Sequence, residues 1–371
     1  MRIGVPKEIK NHEYRVGLTP ESVAELISDG HEVWVETLAG AGIGATDGEY
    51  TEAGARIKPD AATIFADCDM IVKVKEPQAG ERAMLRPGQI LYTYLHLAPD
   101  PAQTTDLIKS GAVCIAYETV TSDRGGLPLL KPMSQVAGRL SIQAGANALQ
   151  KENGGRGVLL GGVPGVNSGK VLIIGGGDVG YNAALMAVGM QADVTILERS
   201  NVVMEKLSYE FGVRAQVERS TPAVLRQRLA EADLVIGAVL IPGAAAPKLV
   251  TRDMLSLMKD GAVMVDVAID QGGCFETSRP TTHDDPIYTV DGIVHYCVAN
   301  MPGAVARTST YALNAATVHH AKRIARLGWK DAMREDPHLL NGLNVCEGQL
   351  TYEAVAEAQG LDWVEARTMI A

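Results

Sequence analysis

The stretch from Lys170 to Met190 constrains the fold more than any other. KVLIIG, a short run of Val, Leu and Ile, leads directly into Gly175-Gly176-Gly177-Asp178-Val179-Gly180 and then into the helix-forming YNAALMAVGM. In a GxGxxG turn between strand and helix, the first glycine makes the tight turn, the second lets a pyrophosphate approach the backbone, and the third lets the helix pack on the strand. The N-terminus of such a helix presents unpaired N–H groups and the positive end of its dipole to an anion. The next strand, ADVTILE, ends at Glu198, about 20 residues after the turn, where a carboxylate binds both ribose hydroxyls and repels a 2′-phosphate. Gly-rich turns also join strands to helices for purely structural reasons, but strand, turn, helix and terminal acid together read as a nicotinamide dinucleotide site, for NAD in preference to NADP.

Strands and helices alternate along the rest of the chain, the pattern of βα units around mostly parallel sheets, so the fold class is α/β. The first series of predicted strands is 2–5, 31–36, 69–74, 89–95 and 112–117, and the second is 170–174, 193–197, 233–239 and 262–267. A first helix is expected over 20–28, with Thr19 as N-cap, Pro20 in the first helical position and Gly30 as the stop. Long helices are expected over 132–151 and from 307 to Gly328, and the tail beyond reads as helical with polar loops. A length of 371 residues suits two domains.

The net charge is −10, which argues against a broad basic face for nucleic acid or anionic lipid. Cys68, Cys114, Cys274, Cys297 and Cys346 are scattered and odd in number, so they read as free thiols in a reducing compartment. The opening MRIGVPKEIK puts charges where an apolar signal core would stand, and no apolar stretch approaches membrane-spanning length. The expectation is a soluble, cytoplasmic protein. Adjacent His319 and His320 should point about 100° apart on a helix, and His12 with Glu13 has no further ligands near it, so no metal is expected.

Open α/β sheets bind ligands beyond the carboxyl ends of their strands. Lys75 follows MIVKV, His96 follows ILYTYL, Asp270 follows AVMVDVAI, and Arg15 lies in the loop after the first strand. Such a set suits a small 2-oxo or 2-amino acid. Arg clamps a carboxylate, Lys polarises a carbonyl and His exchanges protons near neutral pH, while Asp270 orients ammonia or helps to deprotonate an amine or carbinolamine. Each also has a structural reading: His96 as a hydrogen-bonded structural histidine, Lys75 and Arg15 as solvated or paired with Glu76 and Glu13, and Asp270 as a turn cap.

Over nearly its whole length the chain resembles the alanine dehydrogenase and transhydrogenase family. The resemblance rests on MRIGVPKEIKNHEYRVGLTPESV, DMIVKVKEP, LYTYLHLA, PLLKPMSQVAGRLSIQAGA, GGVPGV, the glycine turn, VDVAIDQGGCFETSRPTTHDDP and NMPGAVARTSTYALNAAT. It implies two Rossmann-like α/β domains with mostly parallel sheets. The substrate domain would be 1–130 plus 306–371, completed by C-terminal helices, with an NAD-binding domain, 131–305, inserted. It also implies reversible, NAD-dependent oxidative deamination of L-alanine to pyruvate and ammonium. Arg15 and Lys75 would hold the carboxylate, His96 would be the general acid/base, and Asp270 would assist ammonia addition and proton steps. Tyr94, Glu118 and Met133 would line or support the pocket. Ser134, Asp178, Glu198, Ser220, Asn300 and Met301 would border the dinucleotide with Gly175, Gly177, Val179 and Gly180. Family members often have Asp in place of Glu198 and an uncharged residue in place of Asp178. The family also implies a homo-oligomer, a hexamer in preference to a dimer.

The competing readings are a saccharopine dehydrogenase, which needs a further carboxylate site, the soluble NAD-binding component of a transhydrogenase, and a non-catalytic NAD sensor. Lys75, His96 and Asp270 occurring together favour the dehydrogenase.

Overall fold

The computed structural model describes residues 1–239 and 247–371, and within these the chain forms two units, Met1–Met133 with Gly303–Ala371 and Ser134–Pro302. The first unit begins with β1 (Arg2–Val5) and α1 (Pro20–Ser28). The Thr19 side chain accepts from Ser22 N–H, Pro20 opens the helix, and Gly30 turns the chain away with φ +86°, in the region that favours glycine. Next come β2 (Glu32–Glu36), β3 (Arg56–Lys58), β4 (Met70–Val72), β5 (Ile90–Thr93) and β6 (Val113–Ala116). Every residue of β4, β5 and β6 is buried, as expected for parallel strands covered on both faces.

Helix α2 (Lys131–Ala148) leads into the second unit. There follow β7 (Lys170–Ile174), α3 (Asp178–Gly189), β8 (Asp193–Glu198), α4 (Asn201–Phe211), β9 (Gln216–Arg219), β10 (Leu234–Gly237), β11 (Val263–Asp266), β12 (Ile287–Val290) and β13 (Ile293–Tyr296). The two-residue side-chain period of β7 is visible in its packing. Val171 and Ile173 join a cluster with Ala183, Ala184 and Ala187 of α3, while Leu172 and Ile174 join another with Leu225, Leu229 and Phe275. Helix α5 (Ala306–Leu327) returns the chain to the first unit, where β14 (Leu343–Cys346) and β15 (Gln349–Leu350) complete the sheet.

Among the described residues the first sheet runs β15-β14-β6-β5-β4-β1-β2-β3 and the second β12-β13-β11-β10-β7-β8-β9. Both are parallel except at one edge, where β14 pairs antiparallel with β6 and β15, and β12 pairs antiparallel with β13. The structure corrects the expectation of a helical tail: 343–350 is a β-hairpin, and strands as well as helices complete the first sheet. Strands β3, β9, β12 and β13 also went unforeseen. The rings of His319 and His320 do not diverge; their centroids are 3.8 Å apart. No helix among the described residues is long and apolar enough to cross a membrane.

Candidate functional site

In the first sheet β1 lies between β2 and β4, and the strand order runs opposite ways from these strands, the kind of switch point at whose carboxyl ends open α/β sheets bind ligands. Arg15 comes from the loop after β1. It is 2% exposed, and Glu13 fixes the plane of its guanidinium: Nε donates to Oε1 at 2.7 Å, Nη2 to Oε2 at 2.5 Å, and the backbone N–H also reaches Oε1. Burial is the largest single influence and opposes the charge, but the attraction and hydrogen bonds of Glu13, with smaller contributions from Tyr94 and Glu8, together leave the guanidinium pKa above its ordinary value. Arg15 Nη1 points at Met133 Sδ, 3.0 Å away. Of the two structural readings, solvation and pairing, Arg15 shows the second.

Lys75, just beyond β4, is also buried, with its ammonium 4.0 Å from Glu76. Its backbone is held from two directions: Thr93 Oγ1 donates to its carbonyl at 3.0 Å, and Glu8 Oε1 accepts from Val74 N–H at 2.7 Å and Lys75 N–H at 3.4 Å. Glu8 belongs to a group that sequence reasoning missed. Lys73 Nζ, wholly buried, donates to Glu8 Oε2 at 2.9 Å and Glu81 Oε1 at 2.7 Å. Burial raises the Glu8 pKa despite Lys73.

Tyr94 and His96 extend from β5. The Tyr94 hydroxyl donates to Leu129 O at 2.6 Å, and its ring lies parallel to that of His96, 8° from coplanar with centroids 5.6 Å apart. Burial keeps the Tyr94 phenol protonated. His96 adopts φ +49°, which side-chain-bearing residues rarely do. Glu118, after β6, holds it there: Oε1 accepts from His96 N–H at 2.6 Å and Leu95 N–H at 3.1 Å, and lies 3.9 Å from the imidazole Nδ1. The imidazole is about one-third exposed, 37%, so it faces both this carboxylate and solvent. The first unit therefore gathers Arg15, Lys75, Tyr94, His96, Glu118 and Met133. Asp270 is in the second unit, exposed on a 3-10 turn, Ile269–Gln271, after β11.

The glycine turn of the second unit joins β7 to α3, the strand-turn-helix expected from its sequence. Gly175 has φ +101°, and a Cβ on Gly180 would lie 1.8 Å from Gly175 O, so neither tolerates a side chain. Among the described residues, a Cβ on Gly177 would meet nothing within 4 Å, and no side chain caps the α3 N-terminus it precedes. That open backbone with helix N–H groups behind it fits a pyrophosphate. Glu198 lies across the turn: Oε2 accepts Gly176 N–H at 2.7 Å, while Oε1 accepts Arg199 N–H at 2.6 Å and Ser200 N–H at 2.9 Å. Its carbonyl accepts Ser220 N–H at 2.8 Å, which places Ser220 beside it. Asp178 is the exposed first residue of α3, whereas Val179 and Met301 pack in one apolar cluster. Ser134 is half-buried in the first turn of α2; Asn300, at φ +65°, accepts a hydrogen bond from His283 on its carbonyl.

Two doubly covered, mostly parallel sheets, one carrying a glycine turn with an acid at the end of the next strand, define a Rossmann-like nucleotide-binding class. Profiles of the alanine dehydrogenase/PNT N-terminal and C-terminal domains match residues 4–137 and 141–353, and the chain belongs to that family. It is 58% identical to alanine dehydrogenase of Halomonas elongata over 370 residues, all of both chains, and 50% identical to alanine dehydrogenase of Mycobacterium tuberculosis over 371 residues, again all of both. A solved structure of L-alanine dehydrogenase superimposes with a TM-score of 0.93 at 50% identity, covering 97% of this chain and 99% of that one. A transhydrogenase from Sinorhizobium meliloti superimposes at 0.80 with 25% identity, over 95% and 100% of the two chains.

Proposed function

We propose that the chain catalyses the reversible, NAD-dependent oxidative deamination of L-alanine to pyruvate and ammonium. The observation that carries this reading is the meeting of Arg15, Lys75 and His96 at the carboxyl ends of β1, β4 and β5, in a family whose relatives are alanine dehydrogenases. Arg15, its plane set by Glu13, and Lys75 bind the substrate carboxylate. Lys75 also polarises the carbonyl of pyruvate. Held at the glycine turn, NAD would supply the acceptor for the α-hydrogen of alanine as hydride, and NADH the donor in the reverse direction. Water then adds to the substrate imine, and His96 accepts and delivers the protons as the carbinolamine collapses, assisted by Asp270. Tyr94 and Glu118 hold the His96 imidazole in place, and Met133 lines the pocket. Gly175, Gly177 and Gly180 provide the pyrophosphate cradle, Glu198 takes the ribose diol, and Ser134, Asp178, Val179, Ser220, Asn300 and Met301 border the dinucleotide. The substrate domain corresponds to the first unit and the NAD domain to the second. The working form is a cytoplasmic homo-oligomer, a hexamer in preference to a dimer, which light scattering checks.

The direct test is the growth of NADH absorbance when the purified chain meets L-alanine and NAD; absence of that growth would refute the reading. Cofactor choice gives a separate test. Because Glu198 places its negative charge where a 2′-phosphate would enter, Glu198→Ala is expected to narrow the preference for NADH over NADPH by about tenfold or more. Paired kcat/KM measurements check this, and an unchanged ratio places the discrimination elsewhere.

A further inference from the structure

Asp266, the last residue of β11, is wholly buried and was not singled out by the sequence. Its carboxylate takes four hydrogen bonds from the loop that follows: Oδ1 accepts Ala268 N–H at 3.1 Å, and Oδ2 accepts Cys274 N–H at 2.8 Å, Phe275 N–H at 3.3 Å and Ser278 Oγ at 2.5 Å. These contacts close the loop from both ends, with Asp270 between them. Two glycines in the left-handed region, Gly272 at φ +89° and Gly273 at φ +79°, bring the chain back, and a Cβ on Gly273 would lie 2.6 Å from Asp266 Oδ2. The Lys248 ammonium donates to the carbonyls of Gly272, Gly273 and Phe275, the last two at 3.0 and 3.3 Å. One carboxylate thus gathers the loop's N–H groups and one ammonium gathers its carbonyls. The returning limb is further stitched to 249–250, through Leu249 N–H to Cys274 O at 2.7 Å and Glu276 N–H to Val250 O at 2.9 Å.

A buried carboxylate is costly to desolvate, and four donors from one short loop are more than a simple cap requires. We propose that Asp266 is a positioning residue, which together with Lys248 holds the turn 267–273 so that Asp270 is presented at the carboxyl edge of the second sheet. The inference rests on the catalytic reading of Asp270 above. Asp266→Asn turns one oxygen into a donor, so that at either oxygen position N–H meets donors already there. Lys248→Ala removes the second hold from an exposed side chain, which leaves the core intact.

The test compares the full-length wild type with both variants by amide hydrogen exchange over 267–278, by NADH binding, and by steady-state kinetics with pyruvate, ammonium and NADH. Removing hydrogen bonds to a charged group is expected to speed exchange at Ala268, Cys274 and Phe275 by at least about tenfold in Asp266→Asn. Loss of placement is expected to lower kcat by about 10²-fold there and by about tenfold in Lys248→Ala, with the pyruvate KM and NADH affinity within about threefold of wild type. A general loss of structure would instead move KM, binding and kcat together. Exchange at the wild-type rate in both variants, or undiminished kcat despite faster exchange, would overturn the proposal. If Asp266→Asn does not fold, Lys248→Ala decides by the same criteria. A wild-type chain without turnover overturns the reading of Asp270, while the exchange comparison still decides whether the clamp exists.

Discussion

His96→Ala is expected to lower kcat by at least about 10²-fold while NADH still binds, because the imidazole is the group proposed to move protons during collapse of the carbinolamine. Its surroundings make the interpretation sharper. The ring is held by Tyr94 on one face and lies 3.9 Å from Glu118, but the backbone at His96 is in the left-handed region. Alanine there costs about 1 kcal/mol of backbone strain, whereas asparagine adopts that conformation more readily. Asn cannot act as a general base, so His96→Asn should lose turnover as severely as His96→Ala with little loss of stability. Stopped-flow kinetics reads the loss of turnover, fluorescence titration the retained NADH binding, and urea unfolding the difference in stability between the two variants. Near-normal turnover in His96→Asn would remove the imidazole from the mechanism.

Lys73→Met is expected to destabilise the folded chain by about 3–5 kcal/mol, the usual consequence of removing one partner from a buried ionic group. Met preserves most of the volume, so a cavity is not the main term. Without the ammonium, Glu8 and Glu81 face each other with no exposed surface at the position between them. The direction of the pH dependence follows. Burial already raises the folded pKa of Glu8, and loss of Lys73, which lowers it, raises it further. A carboxyl whose folded pKa exceeds its unfolded value stabilises the fold when protonated and penalises it as pH rises through the unfolded value. The deficit of Lys73→Met should therefore shrink as pH falls toward the ordinary glutamate range. Urea unfolding of both proteins at neutral and mildly acid pH checks this, and a constant deficit would mean that the carboxylates are not coupled through Lys73. Because Glu8 also accepts from Lys75 N–H, the variant is expected to lose activity as well.

The features legible in the sequence were those written in local, contiguous residues. KVLIIG with its glycine turn announces a strand and helix with little ambiguity, and Thr19-Pro20 marks the start of α1. Strands β3 (RIK) and β9 (QVER) are short, polar and partly exposed, so period-two hydrophobicity could not reveal them. The hairpin of β14 and β15 turns on Glu347 and Gly348, both at positive φ; Gly348 suits that conformation, but glutamate is not among the residues that announce a two-residue hairpin turn, so the sequence hides it. The candidate site shows the same division. Arg15, Lys75 and His96 stand out at predicted strand ends, but Glu8 and Lys73 are 65 residues apart and Glu118 reaches back 22 residues to His96. Only the fold pairs them. Asp266 sits four positions before Asp270, and burial alone distinguishes the anchored carboxylate from the exposed one.

The most direct test of the account is NADH oxidation by the purified chain with pyruvate and ammonium, run beside 2-oxoglutarate with lysine and beside NADPH in place of NADH. Rapid oxidation with pyruvate, ammonium and NADH, and little with either alternative, is the result expected of an alanine dehydrogenase built on Arg15, Lys75, His96 and Asp270. Binding of NADH without turnover would contradict it and point to a transhydrogenase component or an NAD-binding module.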